Sequence, residues 1–584
     1  MLMTKWGREL DLSNPLPEYP RPQFVRDSFI NLNGLWNCAV MSAKKSNGSV
    51  ERYDNIKAVP FKFNSRINVP FSPETELSGM NRRIMPDEYL VYERKFTIPE
   101  GFNKGRVFVN FGAVDQIAVV YINGNKVGEH KGGYTPFKFE ITDYITDGEN
   151  QIMVYAFDYT DTNEYSRGKQ RLNRGGIWYS PQSGIWQTVW LESTPVKYLE
   201  RVKITPDYDK EQVTFEYFGT DEVEVLIYDG KELIADTTDK TVKIPDFNPW
   251  SPENPFLYNV VFKAHGEKIK SYFGMRKFSI GEDEKGIKRL FLNNKPYFHN
   301  GLLDQGYYPD GFLTPPSYEA MENDVRFVKD CGFNMLRKHI KIEPLLWYHY
   351  CDVNGIIVWQ DMVNGGGKYG AEVSVIPFVN ITLDDRNYRN FHRTDLEARK
   401  LYYREMEDTV ELLYNCPCIA VWVPFNEGWG QFDSEKAYEK MKSLDSTRII
   451  DTTSGWHDMG YSDVISKHIY FTPIKVKKGN RPYVLSEFGG LGLKVAGHTF
   501  NDKMFGYKVY FSKDSLTKAY SKLYNNVIIP QIKDGLSATV YTQVTDVEDE
   551  LNGLLTYDRE VEKIDREELR KINERVKYDD YSKN

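Results

Sequence analysis

The chain has 584 residues, 41% hydrophobic and 27% charged, with 83 acidic against 75 basic side chains and a formal net charge of −8. That length exceeds what one core supports, because domains hold roughly 100 to 200 residues and barrels reach about 250, so three or four units are expected. The acidic balance excludes wrapping of nucleic acid, which needs clustered Lys and Arg to displace counterions, and no apolar run of membrane-spanning length occurs.

The N-terminus, Met1 to Glu9, is charged and has no apolar stretch of signal-peptide length. Five sparse cysteines, Cys38, Cys331, Cys351, Cys416 and Cys418, fit a reducing compartment better than a disulfide framework, so a cytoplasmic location is expected. Aromatics make up 14% of the chain, with 40 Tyr and 11 Trp, a composition that suits β-rich cores and also the faces of sugar rings.

From about residue 25 to 195 short, alternating, aromatic-rich segments are broken by turn residues, the pattern of a β-sandwich. Val107 to Phe111 and Ala118 to Ile122 read as strands, and Asn123-Gly124 as a tight hairpin turn. Residues 196–284 repeat the style in smaller compass, with Val223 to Tyr228 ahead of Asp229-Gly230, which predicts an immunoglobulin-like sandwich. A jelly-roll-like sandwich over residues 1–195, the second sandwich over 196–284 and a barrel over 285–584 make the expected architecture.

After about residue 285 strand and helix alternate. Candidate strands run Pro296 to Leu303, Phe333 to His339, Gly355 to Asp361, Cys418 to Glu427, Arg448 to Ser454, Val464 to Tyr470, Tyr483 to Glu487 and Ser537 to Gln543. Between the first two, Tyr318, Met321, Val325 and Val328 recur at three- and four-residue spacing, and further amphipathic segments lie near 394–414 and 514–528. Eight strand-and-helix units predict a (β/α)8 TIM barrel. Cys416-Pro417-Cys418 is too tight for an ordinary zinc pair and reads as small packing residues before a strand. Gly365-Gly366-Gly367 reads as a flexible barrel loop, and the charged run from Arg559 to Lys577 as the solvated face of a last helix.

Two apolar runs, Val421 to Glu427 and Arg481 to Glu487, each stop on a glutamate. Glu427 would end the fourth strand and Glu487 the seventh, so both carboxylates would face the C-terminal mouth of the barrel. Two carboxylates there suit cleavage of a glycosidic bond, one kept protonated by its surroundings and the other ionised. A separation of about 5 to 5.5 Å retains the anomeric configuration, whereas about 6.5 to 9.5 Å admits water and inverts it. Asn426 is a candidate donor to a sugar hydroxyl, and Tyr470, ending strand six, a candidate partner for Glu487. His339, with Arg337 at the end of strand two, is a candidate contact for sugar hydroxyls or for the nucleophile, and Asp304 and Gln305 after strand one and Trp359, Gln360 and Asp361 at the end of strand three are candidate hydroxyl binders by position. Trp429 and Trp456 are candidate stacking faces. A structural role remains open for these: packing aromatics for Tyr470 and the tryptophans, a satisfied buried histidine for His339.

The motifs carry a resemblance. Leu32-Asn33-Gly34-Leu35-Trp36, Tyr121-Ile122-Asn123-Gly124, Gly132-Gly133-Tyr134-Thr135-Pro136-Phe137 and Gly184-Ile185-Trp186-Gln187 resemble the sugar-binding sandwich of glycoside hydrolase family 2, which contains β-galactosidases, β-glucuronidases and β-mannosidases. Pro249 to Pro255 resembles its immunoglobulin-like domain, and Phe273-Gly274-Met275-Arg276 the passage into its barrel. The resemblance implies that Glu427, in its Asn-Glu pair, is the general acid/base and Glu487, in Ser-Glu-Phe-Gly-Gly, the nucleophile of a retaining mechanism. The family's metal-dependent β-galactosidases commonly carry a histidine in an Asn-His-Pro-Ser segment before strand four. Asn415-Cys416-Pro417-Cys418 lacks it, so no metal and no other cofactor is expected. Asn501-Asp502-Lys503 has the letters of the Asn-x-Lys element with which the glucuronidases grip a sugar carboxylate.

The expectation is therefore an exo-acting retaining β-glycosidase with a carbohydrate substrate, a β-galactoside first and a β-glucuronide or β-mannoside next. Large members of the family assemble, which leaves a homo-oligomer open. A non-catalytic carbohydrate-binding protein would have lost a carboxylate, and both are present; a transglycosylase would use the same residues with a sugar acceptor.

Overall fold

Period-two alternation builds the first two units. The computed structural model describes residues 2–44, 53–55, 62–370, 373, 381–471 and 473–578. In the N-terminal sandwich a six-stranded antiparallel sheet, centred on Glu88–Thr97 and Glu149–Phe157, faces a four-stranded sheet built on Arg106–Phe111 and Val189–Thr194. Val107, Val109 and Phe111 alternate inward against Trp36, Tyr92, Val120 and Ile152, all buried. Asn123 and Gly124 join the hairpin of Ile117–Ile122 and Asn125–Lys131 with φ of +48° and +81°, the left-handed pair that a two-residue type I′ turn requires. The second sandwich packs three strands against four around Phe215, Ile227, Tyr258 and Phe262.

The third unit is a parallel barrel, whose strands are labelled β1 (His299–Asp304), β2 (Met335–Lys338), β3 (Ile357–Asp361), β4 (Ile419–Val423), β5 (Ile449–Ile450), β6 (Ile465–Ile469), β7 (Tyr483–Gly489) and β8 (Leu536–Thr542). They pair in the order β5-β4-β3-β2-β1-β8-β7-β6, every ladder parallel. The circle closes between β5 and β6 mainly through side chains: Asp463 accepts from the Ile450 N–H at 2.8 Å, and Ser466 donates to Asp451 at 2.7 Å. Every residue of β4 is buried, as strands covered on both faces require.

The outer helices are α1 (Tyr318–Asp330), α2 (Leu345–Asn354), α3 (Leu396–Leu413), α4 (Ser434–Leu444), α5 (Lys513–Leu523) and α6 (Arg566–Asn573). The four periodic apolar residues of α1 are buried, and Ser317 caps it by accepting from the Ala320 N–H at 3.2 Å. Gly355 ends α2 at φ +67°, where a Cβ would lie 2.5 Å from the Pro252 carbonyl oxygen, so neither conformation nor space admits another residue.

Four expectations are corrected. Among the described residues no helix follows β5 or β6, so the barrel is not eight complete strand-and-helix units; Gly455, Gly460 and Pro473 punctuate those short connections. The strand expected to run to Glu427 stops at Val423, before Pro424, and Phe425–Asn426 form a separate parallel pair with Thr453–Ser454. The glycine run is packed rather than flexible, because a Cβ on Gly365 would sit 2.4 Å from the Tyr165 carbonyl oxygen. Arg559 and Lys563 are not solvated: they lie buried in ion pairs with Asp324 and Asp546.

Candidate active site

At the C-terminal mouth β2 delivers Arg337, fully buried, as the hub beneath the site. Its Nε and Nη2 donate to both oxygens of Asp361 at 2.9 and 3.1 Å, Nη2 to Asn426 Oδ1 at 2.8 Å, and Nη1 to the Ser486 carbonyl at 3.0 Å and Glu487 Oε1 at 3.3 Å. A planar guanidinium with five fixed donors orients three side chains at once. The same bond leaves the Asn426 amide only one orientation, and its Nδ2 is buried without a partner among the described residues. That donor is available to a sugar hydroxyl.

Glu427 follows Asn426 with φ at +50°, a left-handed backbone that a glutamate adopts at a cost, held by its N–H donating to the Ser454 carbonyl at 3.0 Å. One oxygen each of Glu427 and Glu487, together with a ring nitrogen of His468, lie within 4.8 Å of one another. Burial pushes the Glu427 carboxyl up to about 7; the Lys169 ammonium and Arg337 oppose that rise, and Glu550 adds to it. Glu487 instead accepts from Tyr470 Oη at 2.7 Å and from Arg337 Nη1 at 3.3 Å. The two carboxyls therefore occupy unlike environments.

The other expected residues divide. His339 Nδ1 meets Asp361 Oδ2 at 2.8 Å and lies 4.0 Å from Glu487 Oε1, with burial holding the ring well below its usual pKa and so neutral. Asp361 supports Arg337 and His339 rather than presenting a free carboxylate. Asp304 accepts from Lys338 Nζ at 2.6 Å and from the Gly306 N–H at 2.9 Å, within a buried cluster with Glu343. Gln305 donates to Gln543 Oε1 at 2.8 Å, and Gln360 accepts from Tyr348 Oη at 2.6 Å, so these three residues are taken up inside the protein. Trp429 stands in an aromatic wall, its ring centre 4.8 Å from Trp178 and 6.4 Å from His339. Trp456 lies 6.4 Å from the His468 ring. Asn501 donates to Asp549 Oδ1 at 2.6 Å, while Lys503 is exposed.

Two features lay outside the sequence reading. His468 meets Glu427 Oε1 through Nδ1 at 2.7 Å, and the β6–β7 register sets it opposite Glu487. The segment of residues 158–183, between two strands of the N-terminal sandwich, lies on the barrel mouth. The Arg167 N–H donates to the Asn364 carbonyl at 2.9 Å, Arg174 to Asp549 at 2.8 Å and Tyr179 Oη to Glu550 at 2.5 Å. It brings in Lys169, 5% exposed, whose ammonium is 3.9 Å from Glu550 and 5.9 Å from the centre of the Trp429 ring. No local pattern marks such a loop, although the run Ser166-Arg167-Gly168-Lys169-Gln170 is unusually polar for a buried segment.

Three family descriptions match in chain order: the sugar-binding domain of glycosyl hydrolases family 2 over residues 29–195, a second domain of glycosyl hydrolases family 2 over 198–276, and its TIM barrel domain over 288–577. The chain belongs to glycosyl hydrolase family 2. It is 27% identical over 383 residues to a β-galactosidase of Thermoanaerobacter pseudethanolicus, covering 60% of this chain and 46% of that one. It is 26% identical over 433 residues to a β-glucuronidase of Bacteroides fragilis, covering 68% and 59%. The chain thus spans about half the length of these curated relatives. Among solved structures it resembles a β-glucuronidase of an uncultured Clostridium sp. (TM-score 0.73, 19% identity, 96% of this chain and 99% of that one). A β-galacturonidase of Eisenbergiella tayi bound to galacturonate is similar too (TM-score 0.68, 19% identity, 95% and 99%). At those identities the likeness is one of fold.

Cys416 Sγ faces Gln23 Oε1 at 3.4 Å, just before the N-terminal end of β4 and remote from the mouth. Glu427, His468 and Glu487 each offer one metal-ligating atom within 4.8 Å of the others; here His468 and Glu427 meet at 2.7 Å, and Glu487 accepts from Tyr470 and Arg337.

Proposed function

We propose that this family 2 β-glycosidase is an exo-acting, retaining enzyme in which Glu427 is the general acid/base and Glu487 the nucleophile. The observation that carries the reading is that one oxygen of each carboxyl lies within 4.8 Å of the other, an approach that supports the short separation of retaining enzymes over the roughly 6.5 to 9.5 Å of inverting ones. Their unlike environments support the division of roles. In the first step the Glu427 proton passes to the glycosidic oxygen as the C–O bond breaks, the alcohol leaves, and a Glu487 oxygen bonds to the anomeric carbon. In the second, Glu427, now a carboxylate, takes a proton from water, whose oxygen displaces Glu487 and releases the sugar. Asn426 Nδ2 supplies a hydrogen bond to the sugar beside the reacting carbon, and the 158–183 segment walls one side of the mouth, which supports removal of a terminal residue. Product configuration followed by proton NMR tests this: an inverted sugar, or wild-type turnover by Glu487→Gly, sinks it.

A β-galactoside is the first expectation for the sugar, and one observation favours a uronide instead. Lys169 holds a nearly buried ammonium close to Glu427, His339 and Trp429, held by Glu550 only at 3.9 Å, beyond hydrogen-bond distance, a candidate partner for a sugar carboxylate. A panel of aryl β-glycosides run with Lys169→Met decides: wild-type turnover of uronides that the variant loses supports the acidic sugar, and wild-type turnover of β-galactosides but not of uronides, unchanged in the variant, returns the first expectation.

A further inference from the structure

We propose that His468 is a positioning residue that dictates which oxygen of Glu427 carries the transferable proton. The inference rests on the reading of Glu427 as the general acid. The imidazole stands between the two carboxyls: Nδ1 is 2.7 Å from Glu427 Oε1, and Nε2 is 3.6 Å from Glu487 Oε1. Nε2 also faces Arg337 Nη1 at 3.3 Å and Ser454 Oγ at 3.2 Å.

A guanidinium has only donors. An Nε2–H turned toward it would set two donors, one of them cationic, against each other, so Nε2 presents its lone pair and the single ring proton sits on Nδ1. Burial, aided by the neighbouring positive charges of Arg337 and Lys467 and opposed by Glu487 and Asp361, pushes His468 down to about 4, so the ring stays neutral in that tautomer. Its Nδ1–H then donates to Glu427 Oε1. An oxygen that already accepts this bond is a poor seat for a proton directed along the same line, which leaves the proton on Oε2, the oxygen free to meet the leaving group.

The ring cannot swing away. Gly455, at φ +88°, lies so close that a Cβ there would be 2.5 Å from His468 Cγ, and the side chain has no solvent exposure. Without His468, the Glu427 proton would be divided between two oxygens, one of them aimed into the protein.

The test exploits leaving groups. A 2,4-dinitrophenyl glycoside departs without protonation, whereas a phenyl glycoside needs the acid, a contribution of about 10² to 10⁴ in rate. For His468→Phe the expected result is a fall of about 100-fold or more in kcat/KM on the phenyl substrate and about 5-fold or less on the dinitrophenyl one, with His468→Gln, which keeps a donor, recovering part of the loss. Equal losses on both substrates, or none on either, overturn the proposal, because a packing defect does not sense the leaving group. Nitrogen-15 NMR of the histidine-labelled wild type reads the tautomer without any variant: a proton on Nδ1 is expected, and a proton on Nε2 overturns it. Glu427→Gln assayed alongside separates the failures. If it keeps wild-type turnover on the phenyl glycoside, the general-acid reading falls; if it loses turnover while His468→Phe does not, only the role of His468 falls.

Discussion

The pH dependence of the first chemical step follows from Glu427. Burial keeps its proton to about pH 7 instead of the ordinary 4.5, a difference that corresponds to about 3 kcal/mol between its protonation states. On a substrate with a poor leaving group, kcat/KM should fall about tenfold for each pH unit above 7 as the acid is lost, reaching roughly one hundredth by pH 9. On a dinitrophenyl glycoside the same limb should vanish. Folding gives an independent reading with the sign worked out. A carboxyl whose native pKa is raised binds its proton more tightly folded than unfolded, so stability is greatest below pH 4.5 and declines as pH rises through 7. Glu427→Gln removes that decline, and its stability relative to wild type should grow by up to about 3 kcal/mol between pH 4.5 and 8, read as a widening gap in melting temperature. A basic limb identical for both leaving groups, or a gap that does not widen, refutes the reasoning.

Arg337→Met should strand buried Asp361 and Glu487 without their cation, costing about 3–5 kcal/mol of stability in denaturant unfolding and nearly all turnover. Tyr470→Phe removes one donor to Glu487 while keeping the ring stacked 3.7 Å from Tyr507; kcat should fall about 10- to 100-fold, by roughly 1.4 to 2.7 kcal/mol, with melting nearly unchanged. Far from the site, Lys563→Met leaves the fully buried Asp546 unpaired and should destabilise the barrel by about 3–5 kcal/mol, less at acid pH where Asp546, already pushed up to about 6, takes a proton. Gly430→Ala places a Cβ 2.1 Å from the Gly365 carbonyl oxygen at φ +63°, and should lower activity by displacing the loop that carries Trp429.

What the sequence alone determined is what short-range pattern encodes. Period-two alternation marks sandwich strands because side chains alternate across a pleat, and buried runs between amphipathic helices mark parallel strands because both faces are covered. The positions of all eight barrel strands were legible in this way, as was the delivery of Glu427 and Glu487 to one face. Their separation was not, nor was the missing helix after β5 and β6, where a short connection leaves no periodic signal to miss. Asp304, Gln305 and Asp361 share the rim position of true pocket residues, yet their side chains turn to Lys338, Gln543 and Arg337. Only the fold decides between solvent and a buried partner 24 to 238 residues away along the chain. Lys169 comes from another domain, and His468 carries no motif; both act through distance and burial, which arise when segments remote in sequence are packed together and water is excluded between them.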